Sequence, residues 1–158
     1  EGIMPTTAEG LAKLRPLVPG GVLSFGAQTH PADGNASMVV TTKEKAADLS
    51  ADRSVSIQVI AYGYAREKKG YMAAAPVPAA RMALEKASLT IDDIKVIKTH
   101  NPFVVNDINF AKKMEIEAEG FNNYGSSLIY GHPQGSTATR LIIEGIEEAV
   151  IRRAERRS

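Results

Sequence analysis

The stretch from residue 122 to residue 136 reads NNYGSSLIYGHPQGS, and a long helical pattern follows it. It places His132 on a loop punctuated by glycines, with Pro133 stiffening the turn directly after it. Glycine permits left-handed dihedrals and close backbone approach, and loops held by a rigid scaffold often carry functional side chains. Residue chemistry leaves two roles open for His132: a reactive imidazole, or a hydrogen-bonded histidine packed near an apolar run.

The rest of the chain shows several helical patterns. Capping signatures predict short helices that begin at Thr6-Thr7 and at Thr41. Apolar spacing predicts longer helices from Pro78, from about Val105 to Glu117, and from about Ser136 to Arg156. In the last of these, the stripe of apolar residues from Ala138 to Val150 is expected to face the core.

Three segments have strand-like composition. Residues 55–64 are rich in β-branched and aromatic side chains and are nearly continuously apolar at their centre. That composition predicts a central strand covered on both faces. Residues 37–41 and residues 94–98 are shorter candidates, and the latter ends near His100. Strands alternating with helices favour an α/β layered fold.

The composition is that of an ordinary globular domain. Hydrophobic residues make up 44% and charged residues 23% of the 158, with a formal net charge of +1. No global field therefore favours nucleic acid or an anionic membrane. The absence of cysteine excludes a disulfide framework and thiol chemistry within these residues. No run approaches the ~20 apolar residues of a membrane span, and we expect a cytoplasmic protein.

Three weaker signals have simpler explanations. The charged run at residues 66–69 is most simply a solvated loop, although it would also suit an anionic substrate. The basic tail at residues 152–157 fits a helix C-terminus, where cations interact well with the helix dipole, better than a phosphate site. His30, His100 and His132 match no zinc-ligand spacing, so we expect no metal.

Several motifs resemble those of the thiolase family in order and spacing. Gly131-His132-Pro133, with Gly135, resembles its G-H-P-x-G signature, and the resemblance extends over roughly residues 6 to 151. It implies an α/β thiolase-type layered fold, with mixed sheets and helices packed between and outside them, incomplete at both ends. The other matching segments are residues 32–36 (N-D-G-A-A), residues 75–84 (G-P-x-P-A-x-x-x-A-L), residues 89–94 (L-x-x-x-D-I) and residues 100–103 (N-E-A-F).

The resemblance implies catalytic roles for two histidines. His132 matches the histidine that activates the nucleophilic cysteine and then helps to hold the thioester carbonyl oxygen, a task that suits an imidazole. His100 stands at the asparagine position of N-E-A-F, where a side chain orients a water or donates to the oxyanion. A structural role for His100 at a strand end remains the alternative.

Four further residues are expected on the substrate side of the site. Thr29 falls where many thiolases place a serine that contacts the pantetheine of coenzyme A. Phe103 and Gly131 belong to the two motif loops. Ser126 replaces a glycine of the usual N-G-G run, so its bulk is expected to narrow the loop against the acyl chain.

Thiolases use one cysteine as nucleophile and another as acid/base, and this chain has neither. We therefore expect a fragment, one chain of a split enzyme or a degenerate relative. Residues 1–52 would close the first half of a thiolase, and residues 53–158 would form most of its C-terminal domain. The expected function is to make or cleave the carbon–carbon bond of a 3-ketoacyl-CoA, with cysteines supplied from outside a chain that is inactive alone.

The competing expectation is a non-catalytic thiolase-like module that binds acyl-CoA or forms an assembly interface. Under either expectation, the coenzyme A thioester is a substrate or ligand and no cofactor is required. The expected protein partner is a second copy of the chain or a cysteine-bearing chain, and neither nucleic acid nor a membrane is expected as a partner.

Overall fold

The computed structural model describes residues 5–155. Arg156 and Arg157 of the basic tail, and the last residue of the predicted final helix, lie outside the described residues. None of the described helices is long and apolar enough to cross a membrane. Within this range the chain forms six α-helices: α1 (Ala8–Ala12), α2 (Lys43–Leu49), α3 (Pro76–Ala87), α4 (Val104–Met114), α5 (Ser127–Tyr130) and α6 (Thr137–Glu155).

The two short N-terminal helices begin at threonine caps. Thr7 caps α1, because its hydroxyl accepts a hydrogen bond of 3.0 Å from the Gly10 N–H. Thr42 caps α2 in the same way, one residue after the predicted Thr41. An N-cap oxygen satisfies a backbone donor that the first turn leaves unpaired, which explains why sequence located both starts to within one residue.

The longer helices differ from the predicted bounds by a few residues. α3 begins at Pro76, two residues before Pro78, since proline is tolerated in the first turn, where no intrahelical donor is required. α4 ends at Met114 rather than Glu117, because Glu115 adopts a left-handed conformation with φ of 59°. A residue in that conformation closes a helix, and only glycine would have signalled it clearly in the sequence.

A small apolar core joins α3 to α4. Val77 of α3 is buried against Phe110, Ala111 and Met114 of α4, and Phe121 closes the cluster from the chain that follows. The α4 positions recur at helical spacing, so one face of the helix is covered. The rings of Phe110 and Phe121 meet edge to face, with centroids 6.0 Å apart. This core fixes the N-terminal end of α4 beside residues 97–103.

Backbone pairing within residues 5–155 is limited to two isolated bridges, Gln28 with Phe103 and Pro31 with His132. No β ladder forms in this part of the chain, so the predicted strands at residues 37–41, 55–64 and 94–98 are not formed as sheet strands. Strand pairing needs a neighbour that may lie far away in sequence.

The predicted covering of residues 55–64 on both faces is wrong for the described structure. The side chains of Val59, Tyr62 and Tyr64 are 74%, 70% and 73% exposed. Strand-like composition indicates a segment that suits a buried pleated surface, but burial itself requires neighbours on each face. Gly63 lies directly against α3, where an added Cβ would collide with the Ala79 carbonyl oxygen. The segment therefore packs on α3 and leaves its large side chains uncovered.

The predicted core stripe of α6 is only partly correct. Leu141 is buried, but Ile142 and Ala149 are exposed. The other buried positions of the helix are polar, Thr137 near its start and Glu148 near its end. Apolar spacing alone could not reveal that two polar side chains hold the buried face of α6.

Glu148 anchors α6 through a buried ionic cluster. Its carboxylate lies 2.7 Å from Lys98 Nζ, and both side chains are 5% exposed. The other carboxylate oxygen accepts a hydrogen bond of 2.9 Å from Asn123 and pairs with Arg152 at 2.5 Å. Lys98 Nζ also lies 4.1 Å from the centre of the Tyr124 ring. The cluster joins three separate parts of the chain at one point.

Candidate active site

A cleft of about 1000 Å³ lies beside α3 and α4. Small side chains of α3 form part of its wall, among them Ala79, Ala80 and Ala83, and its polar lining includes His100 and His132. Ligand sites are typically concave and mostly apolar, with a few well-placed polar groups. The cleft is therefore the candidate site, and the two histidines are its candidate chemical groups.

His132 is fixed through its backbone and through its ring. Its N–H donates to the His30 carbonyl at 2.9 Å, next to the bridge between Pro31 and His132. Its ring Nδ1 lies 2.8 Å from the hydroxyl of Thr137, the first residue of α6. The imidazole is consequently held between a backbone pairing and the start of a long helix.

Gly131 is required by the shape of this loop. Its φ of 85° belongs to the left-handed region, which side chains disfavour. A Cβ built there would lie 2.7 Å from Ala32 Cβ and 3.0 Å from His30 Nε2. The glycine before His132 therefore has a steric cause in the fold.

His100 lies between two residues that share one carboxylate. Thr99 donates to Asp107 Oδ1 at 2.7 Å, and the buried Asn101 donates its side-chain N–H to Asp107 Oδ2. Asp107 stands in the first turn of α4, where a negative charge is favoured. The His100 ring itself approaches α5, with Nδ1 lying 3.1 Å from Ser127 Oγ.

The two imidazoles face each other at the cleft. The ring centroids of His100 and His132 are 4.2 Å apart, with the ring planes inclined by 39°. At this distance a positive charge on one ring disfavours a positive charge on the other. The arrangement suits one imidazole acting as a base beside another that stays neutral and donates a hydrogen bond.

The surroundings of His100 favour its neutral form. Burial lowers its pKa below the ordinary value of 6.5, and His132 and Arg140 lower it further, against the opposite effect of Asp107. Since the folded-state pKa is depressed, the stability associated with this group is fully present above about 6.5 and is lost as the pH falls through the folded-state pKa.

We expect NMR titration of the His100 ring protons to give a pKa below 6.5. Replacing the neighbouring ring, His132→Gln, is expected to raise that pKa toward the ordinary value, since it removes a repulsive charge. The His30 titration serves as the internal reference in both samples. A His100 pKa at or above 6.5 in the unmodified chain would contradict the electrostatic description of the site.

A metal-ion site is not apparent in the described part of the chain. Residues 5–155 contain no group of three or more His, Asp or Glu side chains arranged to hold an ion. His30 approaches Gly131 through its Nε2 atom, but it forms no such group with the other two histidines.

Comparison with known proteins identifies the family. The family model described as "Thiolase, C-terminal domain" matches residues 54–156. The chain belongs to the thiolase family. The acetyl-CoA acetyltransferase of Syntrophomonas wolfei is 35% identical over 145 residues, which cover 87% of this chain and 35% of that protein. Peroxisomal 3-ketoacyl-CoA thiolase B of Rattus norvegicus is 31% identical over 150 residues, covering 94% of this chain and 35% of that protein.

A solved structure supports the same assignment. The crystal structure of the Bacillus anthracis acetyl-CoA acetyltransferase matches with a TM-score of 0.83 at 28% identity, covering 92% of this chain and 37% of that one. The expected thiolase-type α/β fold is thereby confirmed, while the layering of mixed sheets stays a prediction. The chain spans about a third of the length of the curated relatives it matches.

Two further residues expected in a thiolase substrate site line the cleft. Thr29 donates its hydroxyl to the Ser127 carbonyl, and its N–H donates to the Pro102 carbonyl at 2.7 Å. Phe103 precedes α4 as its N-cap residue and pairs with Gln28 in an isolated bridge. These contacts join the loop after residue 28 to the two histidine-bearing segments of the thiolase chain.

Ser126 is placed differently from these residues. Its side chain is buried and caps α5, accepting a hydrogen bond of 3.3 Å from the Leu128 N–H. Neither Ser126 nor Gly131 is among the described residues that line the cleft. The expected narrowing of the acyl-chain space by Ser126 remains a prediction.

Sequence reasoning missed three polar partners of the histidines. Thr137 follows His132 by five residues, and Ser127 belongs to the quoted stretch, so a search for hydroxyl groups near the motif would have found both. Asp107 carried no comparable signal, because its link to the residues flanking His100 depends on how α4 packs.

Proposed function

We propose that this thiolase-family chain is the histidine-bearing part of an acyltransferase that makes or cleaves the carbon–carbon bond of a 3-ketoacyl-CoA. The observation that carries the proposal is the pair of imidazoles, 4.2 Å apart, lining one cleft. The nucleophilic cysteine and the acid/base cysteine come from outside these residues, since the chain contains none.

His132 acts as the base in this proposal. In the cleavage direction it removes the proton from the incoming cysteine thiol, and the thiolate attacks the 3-keto carbon. The bond between the second and third carbons then breaks, leaving the acyl group on the cysteine. The second cysteine protonates the carbon that leaves as acetyl-CoA, and free coenzyme A takes the acyl group from the first.

His100 contributes a hydrogen bond to the oxygen that becomes negative. When the Ser127 hydroxyl donates to Nδ1, the His100 proton resides on Nε2, which is then a neutral donor. The lowered pKa of His100, caused first by burial and then by His132, is consistent with this neutral role. Hydrogen bonds to a developing oxyanion are among the largest contributions to acyl transfer.

Thr29, Phe103, Gly131 and Ser126 shape the substrate side of the site in this proposal. Thr29 and Phe103 line the cleft and would contact the pantetheine arm or acyl group. Gly131 and Ser126 act through the shape of the histidine loop. Acyl-CoA is the ligand, association with a second copy or a cysteine-bearing chain is part of the proposal, and so is a cytoplasmic location.

The absence of cysteine also favours a second candidate, a non-catalytic thiolase-like module that binds acyl-CoA or forms an assembly interface. The two candidates differ in one requirement. An enzyme needs a cysteine close to His132 in its native form, whereas a binding module does not.

Native mass spectrometry of the protein isolated from its source separates the candidates. We expect a cysteine-bearing polypeptide, either a partner chain or a longer parent chain, and thiolysis of acetoacetyl-CoA with free coenzyme A by that preparation. The isolated 158-residue chain is expected to give no turnover. A lone chain without turnover would favour the binding module, and turnover by the isolated chain would overturn the need for outside cysteines.

A further inference from the structure

We propose that Thr137 is a positioning residue that fixes His132 in one tautomer, with the proton on Nδ1 and the lone pair on Nε2. The geometry of the tautomer stands by itself. Its consequence for turnover rests on the proposed function.

The Thr137 hydroxyl stands between two partners. Its oxygen lies 2.8 Å from His132 Nδ1 and 3.0 Å from the carbonyl oxygen of Pro133. The residue is only 2% exposed, so water does not readily replace either partner. A threonine hydroxyl has one proton to donate and lone pairs with which to accept.

One arrangement makes both hydrogen bonds at once. If His132 Nδ1–H donates to the Thr137 oxygen, the hydroxyl proton is available for the Pro133 carbonyl. If the hydroxyl instead donates to Nδ1, the bond to Pro133 is lost and the threonine oxygen accepts nothing from the imidazole. Buried polar groups favour the arrangement that satisfies more of them, and chained hydrogen bonds strengthen one another.

The fold makes this device rigid. Thr137 is the first residue of α6, and the Pro133 carbonyl also accepts the backbone N–H groups of Ser136 and Thr137 at 3.0 and 3.1 Å. The backbone N–H of His132 is held by the His30 carbonyl. With backbone and Nδ1 both fixed, the remaining nitrogen, Nε2, is unprotonated in the neutral ring and able to accept a proton.

The tautomer is measured directly by long-range ¹H–¹⁵N NMR on the full chain labelled with ¹⁵N-histidine, at a pH where His132 is neutral. We expect Nδ1 of His132 to show the signal of a protonated nitrogen and Nε2 that of an unprotonated one. Thr137→Val, which keeps the shape and removes the hydroxyl, is expected to shift the tautomer ratio toward Nε2–H by about tenfold, the worth of one hydrogen bond.

Thr137→Ser is the matched control, because it keeps the hydroxyl and should keep the Nδ1–H tautomer. Unchanged signals from His30 and His100 show that the loop is intact in each variant. His132 carrying its proton on Nε2 in the unmodified chain would overturn the proposal without any variant. An unshifted ratio in folded Thr137→Val would also overturn it.

Kinetics on the cysteine-bearing preparation test the catalytic consequence. Thr137→Val is expected to lower kcat for thiolysis by about tenfold while leaving KM unchanged, and Thr137→Ser to restore kcat. If the tautomer shifts as expected but no cysteine-bearing preparation shows turnover, the proposed function fails and the positioning role of Thr137 stands. If turnover is normal in Thr137→Val although the tautomer has shifted, the catalytic consequence is wrong.

Discussion

Replacing His132 by alanine in the cysteine-bearing preparation is expected to lower kcat/KM for thiolysis of acetoacetyl-CoA by about 10²–10⁴-fold, the range of a positioned acid–base group. His132 lines the cleft with its ring 4.2 Å from that of His100, and the proposal gives it the proton of the attacking thiol. The measurement is steady-state kinetics with acetoacetyl-CoA and free coenzyme A.

His30→Gln is the control for that experiment. His30 lies beside the same loop, but its side chain has no assigned step, and its backbone carbonyl, which accepts from His132, survives the substitution. We expect turnover within a few-fold of the unmodified preparation. Equal losses in His30→Gln and His132→Ala would indicate damage to the loop, and unchanged turnover in His132→Ala would remove His132 from the chemistry.

The second large effect is expected from Glu148→Met, which should lower the free energy of unfolding by about 3–5 kcal/mol, the usual cost of breaking a buried ion pair. The substitution leaves the Lys98 ammonium, 5% exposed, without the carboxylate 2.7 Å away. Asn123 and Arg152 lose the same partner. Urea unfolding followed by circular dichroism measures the loss.

A matched double variant separates charge from packing. Lys98→Met combined with Glu148→Met replaces both charges by apolar side chains of similar length, and we expect it to be more stable than Glu148→Met alone. If the double variant is the less stable of the two, the single substitution acts through packing rather than through an orphaned charge.

The experiment belongs at neutral pH for a reason that the Glu148 pKa supplies. Burial acts to raise that pKa, but hydrogen bonds from Lys98 and Asn123 outweigh it, and the net pKa lies below the ordinary 4.5. A depressed carboxyl pKa contributes stability that is present above the unfolded-state value and lost as the pH falls through the folded-state value. At pH 7 the contribution is complete.

The sequence predicted what is local and what the thiolase resemblance carried. Thr7 and the start of α2 followed from capping chemistry, and the exposed position of His132 before a long helix followed from its glycines. The nearness of His100 to His132 came only from the resemblance, because 32 residues and two helices separate them. Composition alone had left a structural role open for both.

The remaining features depend on tertiary packing. The charge on Glu148 sits on an otherwise apolar helical pattern, so that nothing in its neighbourhood announces a buried partner at Lys98. The strand-like segments failed for the complementary reason. Their composition was correctly recognised, but pairing and burial are properties of neighbours, and within residues 5–155 those neighbours are missing.

The uncovered apolar side chains of residues 55–64 bear on the fate of the chain in a cell. Extended segments rich in β-branched and aromatic residues, when bare, are sites of aggregation and of chaperone binding. A copy whose segment stays bare is therefore a target for degradation, while a copy whose segment is covered escapes it. The abundance of this protein would then be set by whatever covers that segment rather than by its own rate of synthesis.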